Sequence, residues 1–230
     1  NETRYVTDVQ GLARWAQDDN DLPDTVQRSN FFASRLNQLT TRNSAAYKGV
    51  MALILKNHCK DFISGSEMDF ASYVGEATDI HHIFPANYCE QQGIDIKLWN
   101  SVINKTPIYA RTNRIIGGYA PTKYLSSIER NHGVATADLN NYLESHLIDV
   151  EAIRKDDFDT YFQNRANAIY DLIEKATGKM VAGRENKDAY SEDEVGDTTY
   201  FDIAGDYNSE TKEYAAFVVR GDTEVNEIKV

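Results

Sequence analysis

Two short β-forming runs stand between long stretches of helical periodicity, and this contrast limits the fold more than any other feature of the sequence. On the N-terminal side, VTDVQGLARWAQ, DTVQRSNFFASRLNQL and NSAAYKGVMALILKNHCKDFI repeat apolar residues three and four apart, as one face of a helix requires. Pro23-Asp24 and Asn43-Ser44 supply helix-start signals, and ALIL at 52–55 is apolar on all sides, which predicts a central helix. Residues 64–77 read as a loop with room for one short helix. The character then changes. TDIHHIFP, Thr78 to Pro85, reads as an extended run, because the residue before a proline avoids helix. The polar loop CEQQGIDIKLWNS leads to VINKTPIYA, rich in β-formers, and RTNRIIGG reads as a helical or turn element closed by Gly117-Gly118. Helices resume in PTKYLSSIER, with Pro121 in the first turn, in ATADLNNYLESHLI, and in DDFDTYFQNRANAIYDLIEKATG, with Gly178 as C-cap.

After Gly183 the polar, acidic RENKDAYSEDEVGD predicts a linker. TTYFDIAG and EYAAFVVRG, joined by DYNSETK, read as two strands of a small β-appendage. The expected class is therefore α+β, mostly helical. A helical segment covers 1–77, a strand–loop–strand–helix unit covers 78–130, a second helical segment over 131–183 packs on the first, and an acidic, β-rich tail covers 184–230.

Composition narrows the function. The chain of 230 residues is 41% hydrophobic, enough for a substantial core. No apolar run approaches the ~18 residues of a membrane span, so no membrane partner is expected. The sequence opens on Asn1 without a leader pattern of basic, apolar and small residues, and reads as a piece of a longer protein. Cys59 and Cys89 are too few for a disulfide framework and lack zinc-site spacing, which makes a reducing cytoplasm the expected compartment. The net charge of −12 argues at first sight against nucleic acid, yet residues 190–230 alone carry −8 of it. From Lys97 to Arg130 the balance is +5, a candidate phosphate-contact surface or a solvated face. The acidic tail reads as a solvated extension, with occupation of that basic surface as the alternative.

His81 and His82 pose the chemical question. Neighbours on a strand point to opposite faces, so one imidazole can hold a metal while the next points at a substrate. A nuclease needs those two roles: a base for water and a cation for the extra charge on phosphorus. A further ligand must come from a later element. Asn113, 31 residues after His82, opens the helical stretch after the second run, and its amide oxygen is a hard donor suited to Mg²⁺ or Mn²⁺.

DIHHIFP followed by NKTPIYARTN resembles the HNH, or ββα-metal, nuclease motif: an Asp or His, then His, an apolar-apolar-Pro tail, a loop, a structural Asn, and a metal-binding Asn or His one strand-to-helix turn later. The matching positions are His81, His82, Asn104 and Asn113, and the spacing of nine between the asparagines, with Arg after the second, is similar to HNH domains of RNA-guided nucleases. The wider run, with YKGVMALIL upstream and NRIIGGYAPTKYL downstream, more closely resembles the C-terminal HNH region of GmrSD-like modification-dependent restriction enzymes over roughly residues 35–175. The resemblance implies that His82 is the general base, that His81 and Asn113 bind one divalent ion (Mg²⁺ or Mn²⁺, with Ni²⁺ or Zn²⁺ as alternatives), and that Asn104 braces the loop. It places Arg114 and Lys123, with Lys105 and Arg111, near DNA phosphates, and makes Asp79 a partner that orients an imidazole. It also implies a ParB-like NTPase domain elsewhere in the whole protein, DNA, including modified DNA, as substrate, and a role in restriction or antiviral defence. The departure from many relatives is His81 where they carry Asp, which gives a less negative ligand pair. The rival expectation is a degenerate HNH module that binds DNA or a partner protein without cutting. His58, His132 and His146 match no constellation, and Cys59 and Cys89 read as bystander thiols.

Overall fold

The computed structural model describes residues 2–18, 20–69, 73, 78–184, 201–208 and 213–220. The acidic linker expected over 184–197 lies almost wholly outside them, as does most of 70–77. Helices α1 (Glu2–Trp15), α2 (Asp24–Arg28), α3 (Ser34–Gln38) and α4 (Ala45–Lys56) precede strand β1 (Thr78–His82). Helices α5 (Ala86–Gln91) and α6 (Ile96–Trp99) and a 3-10 turn (Val102–Asn104) lead to β2 (Lys105–Tyr109). Helices α7 (Ala110–Ile116), α8 (Pro121–His132), α9 (Thr136–Ser145), α10 (Val150–Ile153) and α11 (Phe158–Thr177) follow, then strands β3 (Phe201–Asn208) and β4 (Glu213–Arg220). The mixture of helix and strand is α+β.

Three elements differ from their sequence expectation. The run 24–39 is broken into α2 and α3. Ser29 turns extended, its hydroxyl donating to the Val26 carbonyl, and residues 31–33 exchange backbone hydrogen bonds with Ala182 (Ala33 N to Ala182 O 2.9 Å, Ala182 N to Phe31 O 2.8 Å). A partner 150 residues downstream thus overrides local periodicity. Helix α4 stops at Lys56 instead of running to residue 63, because His58 takes a left-handed φ of 58°. The polar loop after β1 is built from α5 and α6, with Pro85 and Asp95 at their N-caps.

Helix α4 starts on Ser44, whose hydroxyl accepts from the Tyr47 N–H, and is buried on nearly every side, which accounts for the all-apolar ALIL. The β3–β4 hairpin runs alongside it. One hydrophobic core joins Leu36 and Ile54 of the first helices, Phe84 and Ile108 of the β1–β2 unit, and Leu143 and Ile169 of the later ones. The strand unit therefore has no core of its own. It is an island clamped between helices, as a two-stranded hairpin must be to persist in water. Arg165 of α11, fully buried, donates to the carbonyls of His146, Val102 and Ile103, and the Tyr161 hydroxyl donates to Ile103 O, so α11 grips the turn that feeds β2.

Candidate active site

Strands β1 and β2 pair antiparallel, with His81 opposite Thr106 and His82 opposite Lys105. Side-chain alternation then sorts the hairpin into two faces. Asp79 and His81 share one with Thr106 and Ile108; Ile80 and His82 share the other with Lys105 and Pro107.

On the first face His81 is only 3% exposed. Its ring stands edge-on to Phe62 and Tyr124, and Nδ1 lies 2.9 Å from Oδ1 of Asn113 on α7. The Asn113 amide nitrogen donates to Asp79 Oδ2 at 3.2 Å. A carboxylate can only accept, so this bond turns the amide oxygen toward His81. Asp79 thus bonds the amide of Asn113, and acts on the His81 imidazole only through it. Burial pushes the His81 pKa down to about 4, more than the Asn113 bond raises it, so the ring is neutral at pH 7 and carries a lone pair.

Helix α7 is aimed by a residue the sequence did not single out. Asp61, fully buried, accepts from the Tyr109 N–H (3.1 Å) and the Thr112 hydroxyl (2.8 Å), capping the start of α7 from 48 residues upstream. Its own turn fixes it through the N–H groups of Ile63 and Ser64 and the Ser64 hydroxyl. The Asp-x-x-Ser-Gly run signals a local turn, but nothing in it reports the long-range cap. Gly117, at φ 60° and ψ −150°, closes α7 in a region open essentially to glycine.

On the second face His82 is half-buried, its ring 5.6 Å from Trp99, and Nε2 lies 3.2 Å from Oδ1 of Asn100. The amide oxygen accepts, so Nε2 carries the proton and Nδ1 keeps the lone pair. Asn100 is the second residue that sequence reasoning missed; only its place four positions before Asn104 marks it. Burial lowers the His82 pKa, the Asn100 bond opposes this, and the charge of Lys105 adds to the lowering.

The chain is similar to a protein of Methanocaldococcus jannaschii described as uncharacterized. Identity is 29% over 161 residues, which cover 65% of this chain and 27% of that protein. The match thus spans little more than a quarter of that relative's length. No family model matches, and no solved structure does.

Asn104 is fully buried between the two faces. Its Oδ1 accepts from the Phe84 N–H (2.9 Å), and its Nδ2 donates to the carbonyls of Phe84 (2.9 Å) and Trp99 (2.8 Å). One amide therefore ties the end of β1 to the end of α6. Arg111 and Arg114 are exposed on α7 and Lys123 is exposed in the first turn of α8, whereas Lys105 turns inward and gives its ammonium to the Thr40 carbonyl at 2.6 Å. His146 is structural: Nε2 donates to Lys60 O (2.8 Å) and Nδ1 accepts from the Thr106 hydroxyl (2.6 Å) beneath β2.

Among the described residues no three His, Cys, Asp or Glu side chains gather as a metal cluster. The pair nearest to a ligand set is mixed, an imidazole and an amide joined by a hydrogen bond. His81 Nδ1 and Asn113 Oδ1, 2.9 Å apart, are spaced like two adjacent vertices of an octahedral shell, which ligand distances of about 2.1 Å set near 3 Å. The amide oxygen accepts, so in this arrangement Nδ1 carries the His81 proton and the lone pair sits on Nε2, which is buried without a hydrogen-bond partner among the described residues; for Nδ1 and Oδ1 to share an ion the proton would have to move to Nε2.

Proposed function

We propose that the chain is a metal-dependent DNA endonuclease of the HNH type, the nuclease part of a cytoplasmic restriction or phage-defence protein whose specificity resides in a ParB-like NTPase region elsewhere. The observation that carries this reading is the division of labour across one hairpin. A neutral imidazole paired with an amide oxygen lies on one face, and an imidazole with its Nε2 proton fixed lies on the other. His81 and Asn113 would hold one Mg²⁺ or Mn²⁺, Ni²⁺ or Zn²⁺ being alternatives, which would supply positive charge beside the reacting phosphate. Nδ1 of His82 takes the proton of the attacking water, and the Asn100 oxygen steadies the imidazolium that results. Asn104 keeps the β1 end and α6 in register, so that His82 and Asn100 stay within reach of each other. Exposed Arg111, Arg114 and Lys123 supply sequence-independent phosphate contacts.

The second reading, a module that binds DNA or a protein partner without cutting, has one observation in its favour: His81 Nδ1 is engaged by Asn113 and shielded from solvent. Supercoiled plasmid incubated with Mg²⁺, Mn²⁺ or Ni²⁺ separates the two. Nicking or linearisation is expected with at least one ion. Intact plasmid with every ion, for this chain and for the whole protein that contains it, would leave only the binding module.

A further inference from the structure

On the His82 face the hairpin carries a charge arrangement that folding alone does not explain. Lys105 stands directly across from His82 and is 6% exposed. Its ammonium is bonded to the Thr40 carbonyl and lies 6.0 Å over the Tyr47 ring. Arg42, exposed, follows Thr40 by two residues in the α3–α4 loop, so the loop that holds the Lys105 ammonium also carries a guanidinium. Among the described residues no carboxylate pairs with Arg42 or with Lys105. Burial, reinforced by Arg42, brings the Lys105 pKa down to about 8, so the two cations oppose each other. A buried ammonium without a counter-charge is costly, and an apolar side chain of similar length would stabilise the fold more. The pair is relieved by an anion that reaches both.

We propose that Arg42 and Lys105 form a clamp that seats a backbone phosphate of a nucleic-acid strand on the His82 face of the hairpin. Thr40 takes one of the three ammonium donors and leaves the others for an anion. Arg42 offers a planar fork matched to two phosphate oxygens. The clamp lies on the opposite face of the hairpin from Asp79 and His81. A strand held by it would run past His82, which shares that face. The clamp rests on the nuclease reading for its ligand, but it binds without turnover, so the two can fail separately.

The test uses the 230-residue chain and a fluorescein-labelled DNA duplex in EDTA, with binding followed by anisotropy over a series of salt concentrations. Cleavage of the same duplex is measured in Mn²⁺. Arg42→Ala, a surface change that leaves the core intact, should weaken binding at low salt several-fold. It should also flatten the slope of log affinity against log salt by about one, the loss of one phosphate contact. Adding Lys105→Met should flatten it by about one more, while Lys175→Ala on α11 leaves it unchanged. Cleavage by Arg42→Ala should show a raised KM. An unchanged slope in Arg42→Ala, with cleavage intact, overturns the clamp and leaves the nuclease standing. A wild type that neither binds nor cuts DNA removes both. Thermal stabilisation by inorganic phosphate that Arg42→Ala abolishes, without any change in DNA slope, assigns a free-anion site and overturns the nucleic-acid assignment.

Discussion

At the scale of single residues, adjacency in sequence becomes opposition in space. His81 and His82 are one position apart, yet one is sealed against Phe62 and Tyr124 while the other is half-buried beside Trp99 and Asn100. His82→Ala is expected to lower the cleavage rate by ~10²–10⁴-fold with calorimetric metal binding intact, because His81 and Asn113 remain. His81→Ala and Asn113→Ala should weaken metal binding, and excess metal should recover part of their rate. Loss of metal binding in His82→Ala with retention in His81→Ala would reverse the assignment. The acid limb of the pH–rate profile should fall below the ordinary histidine value of about 6.5, since burial favours the neutral base. Asn100→Ala should cost roughly 10-fold, a part of what the base supplies. Asn100→Asp should move the acid limb upward, because a carboxylate favours the imidazolium. A profile unmoved by Asn100→Asp would separate Asn100 from the base.

At the scale of elements, side chains from distant segments set the geometry of short ones. Helix α7 is seven residues long, below the length at which a helix is stable by itself, and Asp61 caps its start. Asp61→Asn keeps the size but gives Tyr109 N–H and Thr112 poorer acceptors, and is expected to destabilise the fold by about 1–3 kcal/mol in urea unfolding. Metal affinity should fall further than stability accounts for, because Asn113 rides on α7; metal affinity equal to wild type at saturating folding conditions would detach Asp61 from the site. The Asp61 turn has its own requirement. Gly65 is at φ 67°, and a Cβ there would collide with the Tyr142 ring, so Gly65→Ala should lower the unfolding midpoint and weaken the cap together. Asn104 plays the same part for the β1–α6 junction through three hydrogen bonds to backbone.

Across the whole molecule, buried histidines link stability to pH. Unfolded, their imidazoles titrate near 6.5; folded, burial holds His81 near 4 and His146 near 3. Between those limits the unfolded chain binds more protons than the folded one. Stability is therefore full above about pH 6.5 and falls as pH drops toward 4 and 3, by on the order of 3 kcal/mol for His81 and about 5 kcal/mol for His146. Urea midpoints at pH 7, 5.5 and 4.5 would measure it. His146→Gln, which can still donate to Lys60 O and accept from Thr106, should flatten the dependence; an equally steep profile in that variant would place the proton uptake elsewhere. The tail from residue 190 carries −8 of the net charge of −12. Its removal should tighten DNA binding at low salt, with the gain shrinking as salt rises; equal affinities at low salt would show the tail to be electrostatically silent.

Sequence alone determined what depends on neighbours within a few positions. Alternating and three-to-four-residue patterns located the two strands around His81, His82 and Asn104, the helices from Pro121 onward and the tail hairpin, because apolar spacing reports which side of an element is buried. His81, His82, Asn104 and Asn113 stood out for the same reason, as residue types at fixed offsets. Tertiary structure decided whatever depends on partners far along the chain. Ala182 breaks the helical run at Ser29, His58 ends α4 early, Asp61 caps α7 from 48 residues away, and Asn100 reaches His82 across a loop. It also turned Lys105 inward to Thr40 and bonded Asp79 to the amide of Asn113. A buried polar group must find a partner wherever the packed chain brings one, and no local periodicity encodes that meeting.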